Sequence, residues 1–234
     1  MSDDKSEREE RRAVVLLSGG MDSAVVLAMA IRQGFAAHAL TFRYGQRHAV
    51  ELEAARTVAT AIGAAEHLVI DLDLARFGGS ALTSADPIPR GGAGGIPATY
   101  VPARNAVFLA LAASLAEARG ARDVFIGVSA VDYSGYPDCR PEFIRAFEAA
   151  LNLGTRAGAT GTPLRVHAPL LELSKADTVR AGLELGVDFG LTRSCYDPDD
   201  RGAPCGACDA CRLRALGFDG AGASDPVARL RKPR

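Results

Sequence analysis

The chain has 234 residues, 48% of them hydrophobic and 24% charged, enough apolar material for one globular domain with a small appendage and too much for a mainly disordered protein. With 27 basic residues against 28 acidic ones, it has no global positive field for gripping nucleic acid, so recognition must be local. No apolar stretch approaches the ~20 residues of a membrane-spanning helix, and the polar run from Met1 to Arg12 is read as a solvated tail and not a secretory signal; the expected compartment is the cytoplasm, with no membrane partner.

Ala13 to Leu17 is a continuous apolar run, read as a buried strand; Ser18-Gly19-Gly20-Met21-Asp22-Ser23 follows, then a helix over Ala24 to Arg32 with Gly34 as its stop. Ala36 to Phe42 predicts a second strand. Gln46 to Ile62 predicts an amphipathic helix, with Val50, Ala54, Val58 and Ile62 at four-residue steps, and His67 to Asp71 a third strand. Between Leu72 and Val101 periodicity is lost and Gly and Pro gather, which suggests a mobile lid. Helix returns over Arg104 to Arg119, ended by Gly120, and Val124 to Gly127 is a fourth strand candidate. Asp132 to Pro141 reads as loop, Pro141 opens a helix to about Leu153, and Thr162 to Ala168 is a further strand candidate. Ser174 caps a helix to Leu185, with Asp177 at the capping-box position. Strands alternating with helices at this spacing predict an α/β fold with a doubly wound, mostly parallel sheet over residues 13–191.

Of five cysteines, Cys205, Cys208 and Cys211 form two overlapping C-x-x-C pairs, and Cys195 lies ten positions upstream across a turn-rich loop. Four thiolates suit one structural zinc, which takes sulfur ligands tetrahedrally at ~2.3 Å, whereas a redox pair needs only two. Cys139 is too distant in sequence to join them. Residues 192–218 are thus expected to form a zinc-binding appendage ordered by its metal, whose removal unfolds it before phosphate chemistry suffers, with 219–234 as a tail.

The turn after the first strand is an expected anion cradle, because main-chain N–H groups there face the positive end of the next helix. Gly19 and Gly20 allow close approach of phosphate oxygens, and Ser18 and Ser23 offer hydroxyls. Asp22 either holds Mg²⁺ or caps the helix. Neither the kinase-type P-loop pattern nor G-x-G-x-x-G is present.

Ser18 to Ser23 resembles the S-G-G-x-D-S signature of the PP-loop ATP pyrophosphatases, which split ATP between the α and β phosphates. Phe42 to His48 (FRYGQRH), Val101 to Asn105 (VPARN), Asp132 to Pro141 (DYSGYPDCRP), Leu173 to Asp177 (LSKAD) and Cys195 to Arg212 follow in order. Together they are similar to the QueC family of 7-cyano-7-deazaguanine synthases, over Ala13 to Phe218. The resemblance implies an adenine nucleotide alpha hydrolase-like fold and conversion of 7-carboxy-7-deazaguanine to the 7-cyano base with ammonia and two ATP. The carboxylate and then the amide are adenylated, and AMP and diphosphate are released. It also implies Mg²⁺ with ATP, a homodimer, an ATP site at Leu17, Ser18 to Ser23, Leu40, Thr41 and Phe42, and no direct nucleic-acid partner.

Asp22, Arg104 and Lys175 are the candidate catalytic residues, the last two for spreading charge on the phosphates; otherwise Arg104 pairs with a surface acid and Lys175 is solvated. A guanine-like base offers N1–H and an amine side by side, so Asp132 or Asp138 would read it while Tyr133 or Tyr136 stacks, unless these are ordinary turn residues. His48 is a candidate proton relay. The nearest alternatives are a relative that stops at the amide, or one that acts on tRNA or protein.

Overall fold

The computed structural model describes residues 10–46, 50–90, 95–129, 135–199 and 201–230. Strand β1 (Arg12–Leu16) sends Val14 and Leu16 into one core and Ala13, Val15 and the following Leu17 into another, which is why its sequence is unbroken apolar: both faces are covered. With β2 (Ala36–Arg43), β3 (Glu66–Asp71), β4 (Asp123–Phe125) and β5 (Arg165–His167) it forms one sheet of order β3-β2-β1-β4-β5. Every pairing is parallel; Val15 sits level with Ala39 on one side and Phe125 on the other. Strand order reverses between β1 and β4, which opens a crevice beyond their carboxyl ends.

The helices are α1 (Met21–Arg32), α2 (Val50–Ile62), α3 (Arg104–Arg119), α4 (Pro141–Gly154), the single turn α5 (Arg156–Ala159), α6 (Lys175–Glu184) and α7 (Asp209–Ala221). Side chains of α1, α2, α6 and α7 share a core with Ala13, Val15 and Ala39; those of α3 and α4 cover the opposite face. The expected doubly wound parallel architecture is therefore present. No helix among the described residues is long and apolar enough to cross a membrane.

Several boundaries differ from expectation. Met21, Asp22 and Ser23 already belong to the first turn of α1, since helical backbone begins before its apolar periodicity does. The stretch 72–101, expected as a lid, puts Leu74, Ala81, Leu82, Ile88 and Val101 into the core, each no more than 8% exposed. Their spacing has no period because they descend from a short 3₁₀ turn, tight turns and irregular backbone. The fourth strand ends at Phe125 and the fifth spans only three residues. Ser174 caps α6 as expected, accepting the N–H of Asp177 at 3.1 Å. Helix α7 runs past 218 to Ala221, and its Phe218, 2% exposed, meets Phe189 edge-on at 5.3 Å. The cysteine segment thus packs into the domain's own core, so a metal there would not be its sole source of order.

Candidate active site at the switch point

A cleft of about 260 Å³ lies at the carboxyl ends of β1, β2 and β4. The bend after β1 forms its floor. Gly19 has φ +84°, and a Cβ there would lie 2.5 Å from the Glu51 carbonyl oxygen and 2.7 Å from the Ala55 nitrogen. This glycine is required by the close approach of α2, a reason different from the phosphate contact expected of it. Gly20 opens α1 with no side-chain cap. The Ser23 hydroxyl donates to the Gly20 carbonyl at 3.1 Å and accepts the Ser18 N–H at 3.2 Å, so it shapes the bend. Asp22 is not the helix cap: its carboxylate accepts from Lys175 Nζ at 2.7 Å. Lys175 is set there by α7, whose Gly217 lies so close to α6 that a Cβ would meet the Lys175 carbonyl at 3.1 Å.

Leu17, Ser18, Gly20, Met21, Asp22 and Ser23 line the cleft, as do Leu40, Phe42, Arg104, Tyr136 and Lys175; Gly19, Thr41 and Asp138 are not among its lining residues. Strand alternation turns Thr41 away, its hydroxyl donating to the Leu17 carbonyl at 2.6 Å and lying 2.8 Å from His67 Nε2. Asp138 is buried and accepts the Asn105 N–H at 2.9 Å, tying its loop to the start of α3. Cys139 is buried beside it, accepting from Asn105 Nδ2 at 3.2 Å, apart from the other cysteines. Asp132, Tyr133 and His48 lie outside the described residues.

Across the cleft, Arg104 follows Ala103, whose backbone is left-handed at φ 52°, and donates to the Tyr44 hydroxyl at 3.3 Å. Phe42 stacks on Phe108 at 4.1 Å, making a flat apolar wall.

Other cleft residues escaped the sequence reading. The Arg193 N–H donates to the Gly19 carbonyl at 2.8 Å, and the Met21 N–H donates to Ser194 Oγ at 3.3 Å, so the segment beside Cys195 holds the bend. Arg214 of α7 donates to Ser194 at 3.4 Å, to Thr192 at 2.7 Å, to the Phe189 carbonyl at 2.9 Å and to both oxygens of Asp225 at 3.0 and 2.9 Å. Glu51, in the first turn of α2, also lines the cleft; burial pushes its carboxyl up to about 7 against the opposing pull of Arg104. Its only sequence signal was its place three residues past the FRYGQRH block.

Sulfur atoms of Cys195, Cys205, Cys208 and Cys211 all lie within 4.8 Å of one another. The N–H groups of Asp197 and Cys205 donate to Cys195 Sγ at 3.3 and 3.2 Å, and that of Cys208 to Cys205 Sγ at 3.4 Å. Hydrogen bonding to Cys208 and Cys211, with burial, pushes the Cys195 thiol up. Such a donor set could hold a metal such as zinc.

A family described as "Queuosine biosynthesis protein QueC" matches residues 12–222. The 7-cyano-7-deazaguanine synthase of Xanthomonas campestris pv. campestris (strain B100) is 64% identical over 217 residues, 93% of this chain and 97% of that protein. A protein of the same name from Cupriavidus taiwanensis is 60% identical over 219 residues, 93% of this chain and 96% of its own. Among solved structures, an NMN synthetase from Francisella tularensis aligns over 95% of this chain and 82% of that one at 17% identity, TM-score 0.49.

Proposed function

The chain belongs to the QueC family, and on that premise we propose that it is an ATP-dependent ligase making 7-cyano-7-deazaguanine (preQ0) from 7-carboxy-7-deazaguanine and ammonia. The observation that carries this reading is the glycine-started α1 at the Gly19-Gly20 bend, opening into the switch-point cleft with the Lys175–Asp22 pair beside it at 2.7 Å. A helix start whose N-cap is glycine turns its positive end toward an anion without a side chain of its own in the way, and a lysine at its edge adds charge.

In the first round a carboxylate oxygen of the substrate attacks the α-phosphorus of ATP, and diphosphate leaves onto the main chain of Ser18 to Ser23. Lys175 and Arg104 spread the charge that develops on the transferring phosphate. The mixed anhydride has a good leaving group where the free acid had none; ammonia displaces AMP and leaves an amide. In the second round the amide oxygen is adenylated on the same bend as one proton leaves the nitrogen, and loss of AMP with the second proton forms the nitrile. Leu40 and Phe42 face the adenine. In the loop that runs from Asp132 to Asp138, Asp132 reads the deazaguanine and Tyr133 or Tyr136 stacks on it; Tyr136 lining the cleft supports this, while Asp138 is spent on the Asn105 N–H. Asp22 faces the phosphates that carry Mg²⁺. Cys195, Cys205, Cys208 and Cys211 would hold a zinc, and because the chain supplies four thiolates its role there would be structural.

The test is to incubate the protein with 7-carboxy-7-deazaguanine, ATP, Mg²⁺ and ammonium and to weigh the products. Nitrile, AMP and diphosphate are expected. ADP as the nucleotide product overturns the proposal, and accumulation of amide alone identifies an enzyme that stops halfway. Alanine at Asp132 should weaken deazaguanine binding; undiminished affinity removes the base-reading assignment.

A further inference from the structure

Among the described residues two carboxylates line the cleft, Asp22 and Glu51. Asp22 is engaged by Lys175. Glu51 is held differently. Its carbonyl lies beneath the bend, 2.5 Å from where a Gly19 Cβ would be, so its backbone is pinned to the phosphate floor while its side chain enters the cavity. Its carboxylate makes no hydrogen bond or ion pair within the described residues; Arg104 acts on it only at a distance. The charged and titratable groups that share its cleft are Tyr44 beyond β2, Arg104 on α3, Tyr136, Cys139, Tyr196, Arg193, Arg214 and the Asp22–Lys175 pair, and on its other side Cys195, Cys211 and Asp225 share a smaller cavity with it.

A cleft that takes up triphosphate and a carboxylic acid is served by Arg104, Lys175 and Arg193. A free carboxylate repels both of those ligands. It suits the one remaining reactant, which near neutral pH arrives as the cation ammonium and has no lone pair until a proton is removed. We propose that Glu51 is the catalytic residue that binds ammonium in the cleft and takes its proton, a role that rests on the ligase reading above. Ammonium gives one proton to the Glu51 carboxylate. The freed nitrogen lone pair bonds the acyl carbon of the adenylated substrate, and the bond from that carbon to the adenylyl oxygen breaks with its electrons leaving on AMP. The second proton lost from nitrogen passes to water, giving the neutral amide. A carboxyl raised to about 7 by burial is matched to this task, because it is ionised enough to bind the cation and basic enough to accept the proton.

The experiment compares Glu51→Gln and Glu51→Asp with the unsubstituted enzyme in two assays. With ammonium varied at saturating ATP and acid, Glu51→Gln lowers kcat/KM for ammonium about a hundredfold. The fall in that parameter as pH drops below about 7 disappears in Glu51→Gln and persists in Glu51→Asp. Diphosphate–ATP exchange driven by 7-carboxy-7-deazaguanine without ammonium reports adenylation alone, and in Glu51→Gln it stays within about threefold of its original rate. Three results overturn the proposal: unchanged ammonium kinetics, exchange lost to the same degree as turnover, or turnover restored by extra Mg²⁺ or extra acid. The last would make Glu51 a ligand of the metal or of the base. If the unsubstituted enzyme shows no exchange, the ligase reading itself has failed, a result distinct from the other three.

Discussion

Two arginines on opposite walls of the cleft show how one residue type serves two ends. Arg214 makes five hydrogen bonds, two of them to Asp225, and is 6% exposed. Arg104 makes one among the described residues, to a tyrosine hydroxyl, and keeps the rest of its guanidinium for the cavity. The walls differ in the same way. Behind the bend, the core of α1, α2 and β2 includes Ala24, Ala30, Ala39, Ala55 and Ala59, so backbones approach closely and fix the bend. The β2–α3 side is built from Phe42, Tyr44, Leu82 and Phe108 and leaves polar groups unspent. Saturation of a buried charge marks scaffold; an unspent one marks function.

The largest effect should come from breaking the saturated side. Arg214→Met strands the Asp225 carboxylate and is expected to cost about 3–5 kcal/mol in urea unfolding; a loss below about 1 kcal/mol would mean that the network holds nothing together. Gly19→Ala sets a methyl against the α2 backbone at a positive φ and should cost about 3 kcal/mol, with nucleotide affinity falling alongside. Arg104→Met should show the opposite profile: kcat/KM down about a hundredfold in the product assay, with unfolding shifted by less than about 1 kcal/mol. Equal losses in both measurements would erase the distinction between the walls. The smallest effect belongs to Ala103→Gly, which relieves left-handed backbone beside Arg104 and should raise stability by about 0.5 kcal/mol.

What the sequence made legible was local. The diglycine bend, the four clustered cysteines and the cap of α6 each lie in one short segment whose residue types state their own chemistry. The parallel sheet was legible as well, because strands buried on both faces read as apolar runs. Glu51 was not, since a glutamate in the first turn of an amphipathic helix looks solvated until Gly19 brings that helix against the bend. Ser194, Arg193 and Arg214 were hidden for a similar reason: their partners lie elsewhere in the chain, Met21 being 173 positions from Ser194. Asp138 was open to the opposite error, its carboxylate being spent on the Asn105 N–H. The buried members of the 72–101 stretch reach the core from turns and irregular backbone, where no spacing rule applies.

One stitch has a consequence in time. Gly19 and Met21 are bonded by Arg193 and Ser194, so a bend translated among the first two dozen residues gets two of its braces only when four-fifths of the chain has been made. On the ribosome it must wait, and a chain cut short of residue 193 would carry the whole signature hexapeptide without those two braces.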